Sequence, residues 1–207
     1  MRHPQTLLKL SIAWTLVVIA LLAASPSGAT VRIVAIGDSN TAGFLVPRAR
    51  KYPSQLADIL RSRGYDVTIK NSGVNGSTSS GGLRRLDSDV PQGTNIAIVF
   101  FGRNDRRFGV SESRMRSNLD AIVSRLSARG ITVILCDFYP FNFAGIAARH
   151  GAIYGGDFFA GVAVNGKKRS QYALPDLVRH LNAAGYSVVA NRLAPIVVQA
   201  IKRGGYR

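Results

Sequence analysis

Val31-Arg32-Ile33-Val34-Ala35-Ile36-Gly37-Asp38-Ser39-Asn40 joins an apolar, β-branched run to a glycine and a short polar stretch. The run has the length and composition of a buried strand. A strand that stops at glycine and passes to a small hydroxyl residue puts that hydroxyl at the C-terminal edge of a sheet. In open α/β sheets ligands bind at that edge. Ser39 is therefore a candidate nucleophile with an exposed Oγ. On these residues alone the alternative is a turn serine that caps the following helix.

The same strand-then-helix pattern repeats outward from this stretch. Residues 52–63 place Tyr52, Leu56, Ile59 and Leu60 on one helical face, and Gly64 stops the helix. Residues 65–70 form a second strand that ends in Asn71-Ser72-Gly73-Val74-Asn75-Gly76-Ser77-Thr78, and a helix follows to about Asp87. Residues 96–101 are a continuous apolar strand ending at Gly102-Arg103-Asn104-Asp105. Residues 111–129 carry Met115, Leu119, Ile122, Val123 and Leu126 at helical spacing, and a strand at 131–135 follows Gly130. Residues 141–170 show little pattern beyond a short helix near Ile146 and a weak strand or loop around Phe158. Asn182 is a helix cap for a final helix from Ala183, bent or broken near Pro195. This alternation predicts an α/β fold, a parallel sheet with helices on both faces, in one domain.

With 207 residues, 46% of them hydrophobic, the chain is long enough to bury one sizeable core. Its net charge of +16 attracts anionic partners. The basic residues are scattered, and no aromatic-interleaved RNA motif, zinc finger or basic heptad region accompanies them, so no nucleic-acid partner is expected. Residues 1–29 read as a secretory signal: Arg2 and Lys9 flank an uncharged, mostly apolar stretch at 11–24, and Ser27-Gly28-Ala29 supplies small residues for cleavage. The stretch is short for a span of about 20 residues, so the expected domain is 30–207, periplasmic or secreted, touching a membrane only if the signal is retained. Losing Arg2 and Lys9 leaves 25 basic against 11 acidic residues, a net of +14. Cys136, the single cysteine, can form no intramolecular disulfide and reads as a core residue. No Cys/His cluster has metal-ligand spacing, so no metal is expected. No heptad or exposed-strand pattern argues against a monomer.

In a parallel sheet three polar strand ends fall on one edge: Gly37-Asp38-Ser39, Asn71 to Gly76, and Gly102 to Asp105. A hydroxyl, a glycine-rich turn with free N–H groups and an asparagine side chain suit acyl transfer, in which donors around the carbonyl oxygen hold developing negative charge. The serine also needs a base. Beyond residue 29 the histidines are His150 and His180, and His180 precedes the last helix, where it can fold back onto the sheet edge.

These blocks resemble those of the SGNH (GDSL-type) hydrolases, with the nearest likeness to the acyl-CoA thioesterase, lysophospholipase and arylesterase branch. Gly37-Asp38-Ser39-Asn40 is similar to the nucleophile block, with Asn40 where leucine is usual. The resemblance implies a three-layer α/β/α sandwich of flavodoxin-like order. It implies Ser39 as nucleophile and His180 as base, with the Ser39 and Gly76 N–H groups and the Asn104 side chain as oxyanion donors. One spacing departs. The family's aspartate stands three residues before the histidine, where this chain has Leu177; Asp176 is four before. Both i,i+3 and i,i+4 partners share a face of a helical turn, so Asp176 is the candidate third member, and a Ser-His dyad is the alternative. The expected activity is hydrolysis of small-molecule carboxylic esters or thioesters, an acyl transfer for which no cofactor is expected. Arg103, Arg106 and Arg107 around Asn104 predict a preference for anionic substrates. Carbohydrate O-deacetylation, and an inactive relative that binds anionic glycan or lipid, remain as alternatives.

Overall fold

The computed structural model describes residues 29–206. The signal segment expected at 1–29 lies outside the described residues except for Ala29. Five strands form one parallel sheet: β1 (Val31–Gly37), β2 (Val67–Gly73), β3 (Ile96–Phe100), β4 (Thr132–Asp137) and β5 (Ile153–Asp157), in the order β2-β1-β3-β4-β5. Each strand sends alternate side chains to opposite faces. Ile33 and Ala35 of β1 and Ile96, Ile98 and Phe100 of β3 pack with Tyr52, Leu56 and Leu60 of the helix Tyr52–Ser62 and with Tyr186, Val189, Leu193 and Val197 of a long C-terminal helix. Val34, Ile36, Ala97 and Val99 face the other way, onto Met115, Leu119, Ile122 and Val123 of the helix Glu112–Ala128. Here α1 is the turn Ser39–Ala42, α2 is Tyr52–Ser62, α3 is Ser79–Arg84, α4 is Leu86–Asp89, α5 is Arg103–Arg107, α6 is Glu112–Ala128, α7 is Ala144–Arg149 and α8 is Ala183–Arg203. The expected three-layer sandwich is what the chain forms.

Central β3 is buried along its whole length, so it reads as an unbroken apolar run; edge strand β2 is half exposed. The register brings Gly37 level with both Gly73 and Phe100, so β1, β2 and β3 end side by side on one edge.

Three local expectations change. β5 (Ile-Tyr-Gly-Gly-Asp) lies before Phe158 and lacks an apolar signature because it pairs too closely with β4. A Cβ on Gly155 would sit 2.6 Å from the Cys136 Sγ, and the register shifts there, with Leu135 opposite Tyr154 but Cys136 opposite Gly156. Residues 163–168 form a small antiparallel hairpin, β6 (Ala163–Val164) and β7 (Lys167–Lys168), turned by Asn165 (φ 48°) and Gly166 (φ 75°). Successive positive φ angles are those of a type I′ turn, which Asn-Gly favours. Finally, α8 runs unbroken through Pro195. Pro195 and Asn191, whose carbonyl loses its helical partner to the proline, are both exposed, so water meets the unpaired oxygen. No helix among the described residues is long and apolar enough to cross a membrane.

Candidate active site

Ser39 is held by a turn in which each neighbour has a steric or hydrogen-bonding reason. Gly37 ends β1 where a Cβ would lie 2.6 Å from the Phe100 carbonyl oxygen. Asp38 caps α1: its Oδ1 accepts from the Asn40 N–H at 2.8 Å and from the Asn40 Nδ2 at 3.0 Å. The capping role therefore falls to Asp38, and the Ser39 hydroxyl is left for other partners. Asn40, where the resemblance gives leucine, is buried and spends its amide on Asp38. Gly73 lets β2 approach the turn, since a Cβ there would lie 2.1 Å from the Ala42 nitrogen. Ser39 is only 8% exposed, so its Oγ opens onto a cavity and not onto bulk water.

His180 comes from the far end of the chain. Asn182 caps α8 by accepting from the Gly185 N–H at 2.9 Å, and Leu174 N–H donates to the His180 carbonyl at 2.7 Å. This places the imidazole against Phe44, with ring centroids 4.9 Å apart. Its Nε2 lies 2.8 Å from Ser39 Oγ and its Nδ1 2.6 Å from Asp176 Oδ2. Asp176 Oδ1 also accepts from the His180 backbone N–H at 2.8 Å. The additional residue between Asp and His is absorbed by a turn: Arg179 N–H donates to the Asp176 carbonyl at 2.9 Å, and Arg179 adopts a left-handed φ of 50°. Leu177, at the family's usual aspartate position, points fully into solvent. Burial by itself would raise the Asp176 carboxyl, but the ring and backbone N–H groups of His180 outweigh it and hold the group below the ordinary carboxylate range. A carboxylate accepts from Nδ1–H, which leaves the Nε2 lone pair facing the Ser39 hydroxyl.

The loop after β2 and the end of β3 are tied together. Asp105 Oδ2 accepts from the Ser79 N–H at 2.8 Å, and Asn104 Nδ2 donates to the Ser77 carbonyl at 3.0 Å. Gly76 has φ 75°, and its N–H finds no acceptor among the described residues. Ser39, Gly76, Asn104 and His180 line one cavity of about 1100 Å3. Six cations line it too: Arg103, Arg106, Arg107, Lys167, Lys168 and Arg179; no carboxylate does. The sequence points to the three arginines of α5; Lys167 and Lys168 reach the cavity on the hairpin, for which the Asn165-Gly166 pair is the sequence signal, and Arg179 reaches it on the turn before His180, which carries no such signal. His150 is remote from this site and pairs with Asp120 at 3.1 Å. No group of three or more His, Cys, Asp or Glu among the described residues is placed to hold a metal ion.

Residues 35–188 match the sequence profile of the GDSL-like Lipase/Acylhydrolase family. An arylesterase of Vibrio mimicus is 33% identical over 110 residues, 53% of this chain and 55% of that protein. Esterase TesA of Pseudomonas aeruginosa is 27% identical over 118 residues, 56% of this chain and 59% of that protein. The chain thus spans a little over half the length of the curated relatives it matches. Among solved structures, AlinE4, an SGNH-hydrolase family esterase, is 29% identical with a TM-score of 0.65, covering 84% of this chain and 98% of that one. The psychrotrophic esterase EstA from Pseudoalteromonas sp. is 22% identical with a TM-score of 0.73, covering 83% and 98%, a likeness of fold.

Proposed function

This chain belongs to the GDSL-like lipase/acylhydrolase family, and from that premise we propose that it is a serine hydrolase that cleaves carboxylic esters or thioesters through an acyl-enzyme on Ser39. The observation that carries this reading is the hydrogen-bonded series Ser39 Oγ, His180 Nε2, His180 Nδ1 and Asp176 Oδ2, at 2.8 and 2.6 Å, on the wall of an open cavity.

In the first half-reaction the Ser39 Oγ attacks the acyl carbon while its proton passes to His180 Nε2. Asp176 stabilises the imidazolium that results and keeps the ring in its orientation. Charge on the carbonyl oxygen is taken up by the Ser39 and Gly76 N–H groups and by the Asn104 amide. Asn104 uses one N–H on Ser77 and retains a second for the oxyanion. Collapse of the tetrahedral species expels the alcohol or thiol, which takes the proton from Nε2. Water then enters, gives a proton to Nε2, and releases the acid and free Ser39 by the same steps.

The cationic rim supports a preference for anionic esters, the apolar 11–24 stretch supports a secreted or periplasmic destination, and a monomer is the reading where no heptad or exposed-strand pattern in the sequence argues for an oligomer. Hydrolysis of 4-nitrophenyl esters from acetate to palmitate by the protein and by its Ser39→Ala variant tests the reading. Activity that disappears in the variant is expected; an unchanged rate refutes it. A sharp preference for acetyl over longer chains would move the reading to O-deacetylation.

A further inference from the structure

None of the six cations lining the cavity takes part in the acyl-transfer steps, and two of them, Arg103 and Lys168, are half-buried. Arg103 opens α5 beside Asn104, and its guanidinium lies over two rings, 5.6 Å from the Phe138 centroid and 5.5 Å from that of Phe159. Lys168, on β7, brings its Nζ to 4.7 Å from the same Phe159 ring and donates to the Arg179 carbonyl at 2.6 Å. Neither lies within salt-bridge reach of a carboxylate among the described residues. The other half-buried arginines are all anchored: Arg85 to the Gly37 and Ser72 carbonyls, Arg116 to Glu112, Arg129 to the Val90 carbonyl and Arg192 to the Gly155 carbonyl. Arg103 makes no hydrogen bond to any described residue.

Two like charges over one aromatic ring repel each other and lose hydration, and the ring faces offset only part of that cost. Arg103 has a full set of N–H donors to offer, and Lys168, with one donor spent on Arg179, has two. An oxyanion between them would satisfy these donors and cancel the repulsion. Resting on the serine-hydrolase reading above, we propose that Arg103 and Lys168 form a subsite for a carboxylate or phosphate group carried by the ester substrate. This differs from the general attraction of the rim, to which the exposed Arg106 and Arg107 contribute.

Lys168 also makes the subsite sensitive to pH. Burial, reinforced by the Arg103 charge, pushes its ammonium down to about 8. Arg179 acts in the same direction, whereas Asp38 under the nucleophile turn and Asp176 on the histidine segment oppose it. As pH rises through that value Lys168 loses its charge and the subsite half its attraction.

The test uses phenyl butanoates whose ring carries a neutral hydroxymethyl, a carboxylate or a phosphate group, compared as ratios of kcat/KM. The anionic esters should be favoured, with the preference falling above pH 8. Lys168→Met and Arg103→Gln should each cut it by about ten-fold, the effect of losing one charge-assisted hydrogen bond. Arg106→Gln, which removes the same charge from the rim, should change it much less. The carboxylate and phosphate arms identify the group recognised, and a preference in either supports the subsite. Titration of benzoate, phenyl phosphate and benzyl alcohol into the Ser39→Ala protein, with and without Lys168→Met, tests the site independently of catalysis. Turnover of the neutral ester with a ratio that Lys168→Met, Arg103→Gln and pH all leave unmoved would overturn the subsite while leaving the hydrolase reading standing. If no ester is turned over, equal binding of anions and benzyl alcohol would overturn it, and anion binding lost in Lys168→Met would uphold it.

Discussion

Asp176→Asn tests whether a carboxylate displaced by one residue still completes the site. Asparagine keeps a carbonyl oxygen for the His180 N–H, now bonded to Oδ1 at 2.8 Å, and turns an amide NH2 toward Nδ1 in place of the carboxylate at 2.6 Å. Nδ1 must then present its lone pair, which moves the ring proton to Nε2, facing Ser39. The serine proton loses its acceptor. In a protease triad with a buried aspartate this change costs about 10⁴ in turnover. The Asp176 side chain is 20% exposed, so water competes for Nδ1 and restores part of the correct tautomer. We expect a loss of about 10³ in kcat, or about 4 kcal/mol of transition-state stabilisation, with KM little changed. The assay is the initial rate on 4-nitrophenyl butanoate, with circular dichroism to confirm the fold. Adding Leu177→Asp, which restores the family's usual spacing, should rescue nothing, because residue 177 faces solvent. Turnover within ten-fold of wild type in Asp176→Asn, or recovery on adding Leu177→Asp, would refute this account of the triad.

Asn104→Ala should lower kcat by about 10²–10³ with a smaller effect on KM, the cost of losing one oxyanion donor; parallel losses in kcat and substrate binding would count against that role. Gly73→Ala should destabilise the protein by about 1–3 kcal/mol in urea, because its Cβ would sit 2.1 Å from the Ala42 nitrogen; an unaltered midpoint would mean that β2 and the nucleophile turn are not in such close contact. The carboxyl of Asp176 is depressed in the folded protein, so its contribution to stability is present above the ordinary value of 3.8 and is lost as pH falls through the folded value. Urea midpoints measured between pH 6 and pH 2 should therefore fall less steeply in Asp176→Asn than in wild type.

The elements legible in the sequence are those whose burial pattern is uniform. β3 is buried along its whole length and α6 presents one apolar stripe, so a run and a 3.6-residue period identify them. β5 is hidden because contact with Cys136 requires glycine where a strand would otherwise show an apolar residue. The helical turn at Arg103–Arg107 is hidden because its charged residues carry no period. Ser39, Gly76, Asn104 and His180 are visible as blocks because strand ends and a helix start carry them to one edge. The Asp176–His180 contact is harder to read, since it depends on the backbone at Arg179 entering the left-handed region, which an arginine does not advertise. Lys168 is harder still: its relation to Arg103 exists only after the chain has returned across the sheet edge.

The proposed nucleophile and its base are carried by parts of the molecule with different resistance to opening. Ser39 sits at the end of a central strand, fixed by Gly37, Gly73 and the Asp38 cap. Asp176 and His180 belong to the segment between β5 and α8, which contains little regular structure and is joined by contacts such as Lys168 Nζ to the Arg179 carbonyl and Asn182 N–H to the Tyr172 carbonyl. Phe158, Phe159 and Val162 anchor the start of that segment in the core, but detaching residues 163–180 alone exposes far less apolar surface than unfolding the sheet, so that stretch belongs to the low-energy openings of the native state. Warming then switches activity off before the fold melts, and cooling restores it. A covalent inhibitor that bridges Ser39 and the histidine segment would bring the temperature at which that segment detaches, read by proteolysis or hydrogen exchange, up toward that of global unfolding.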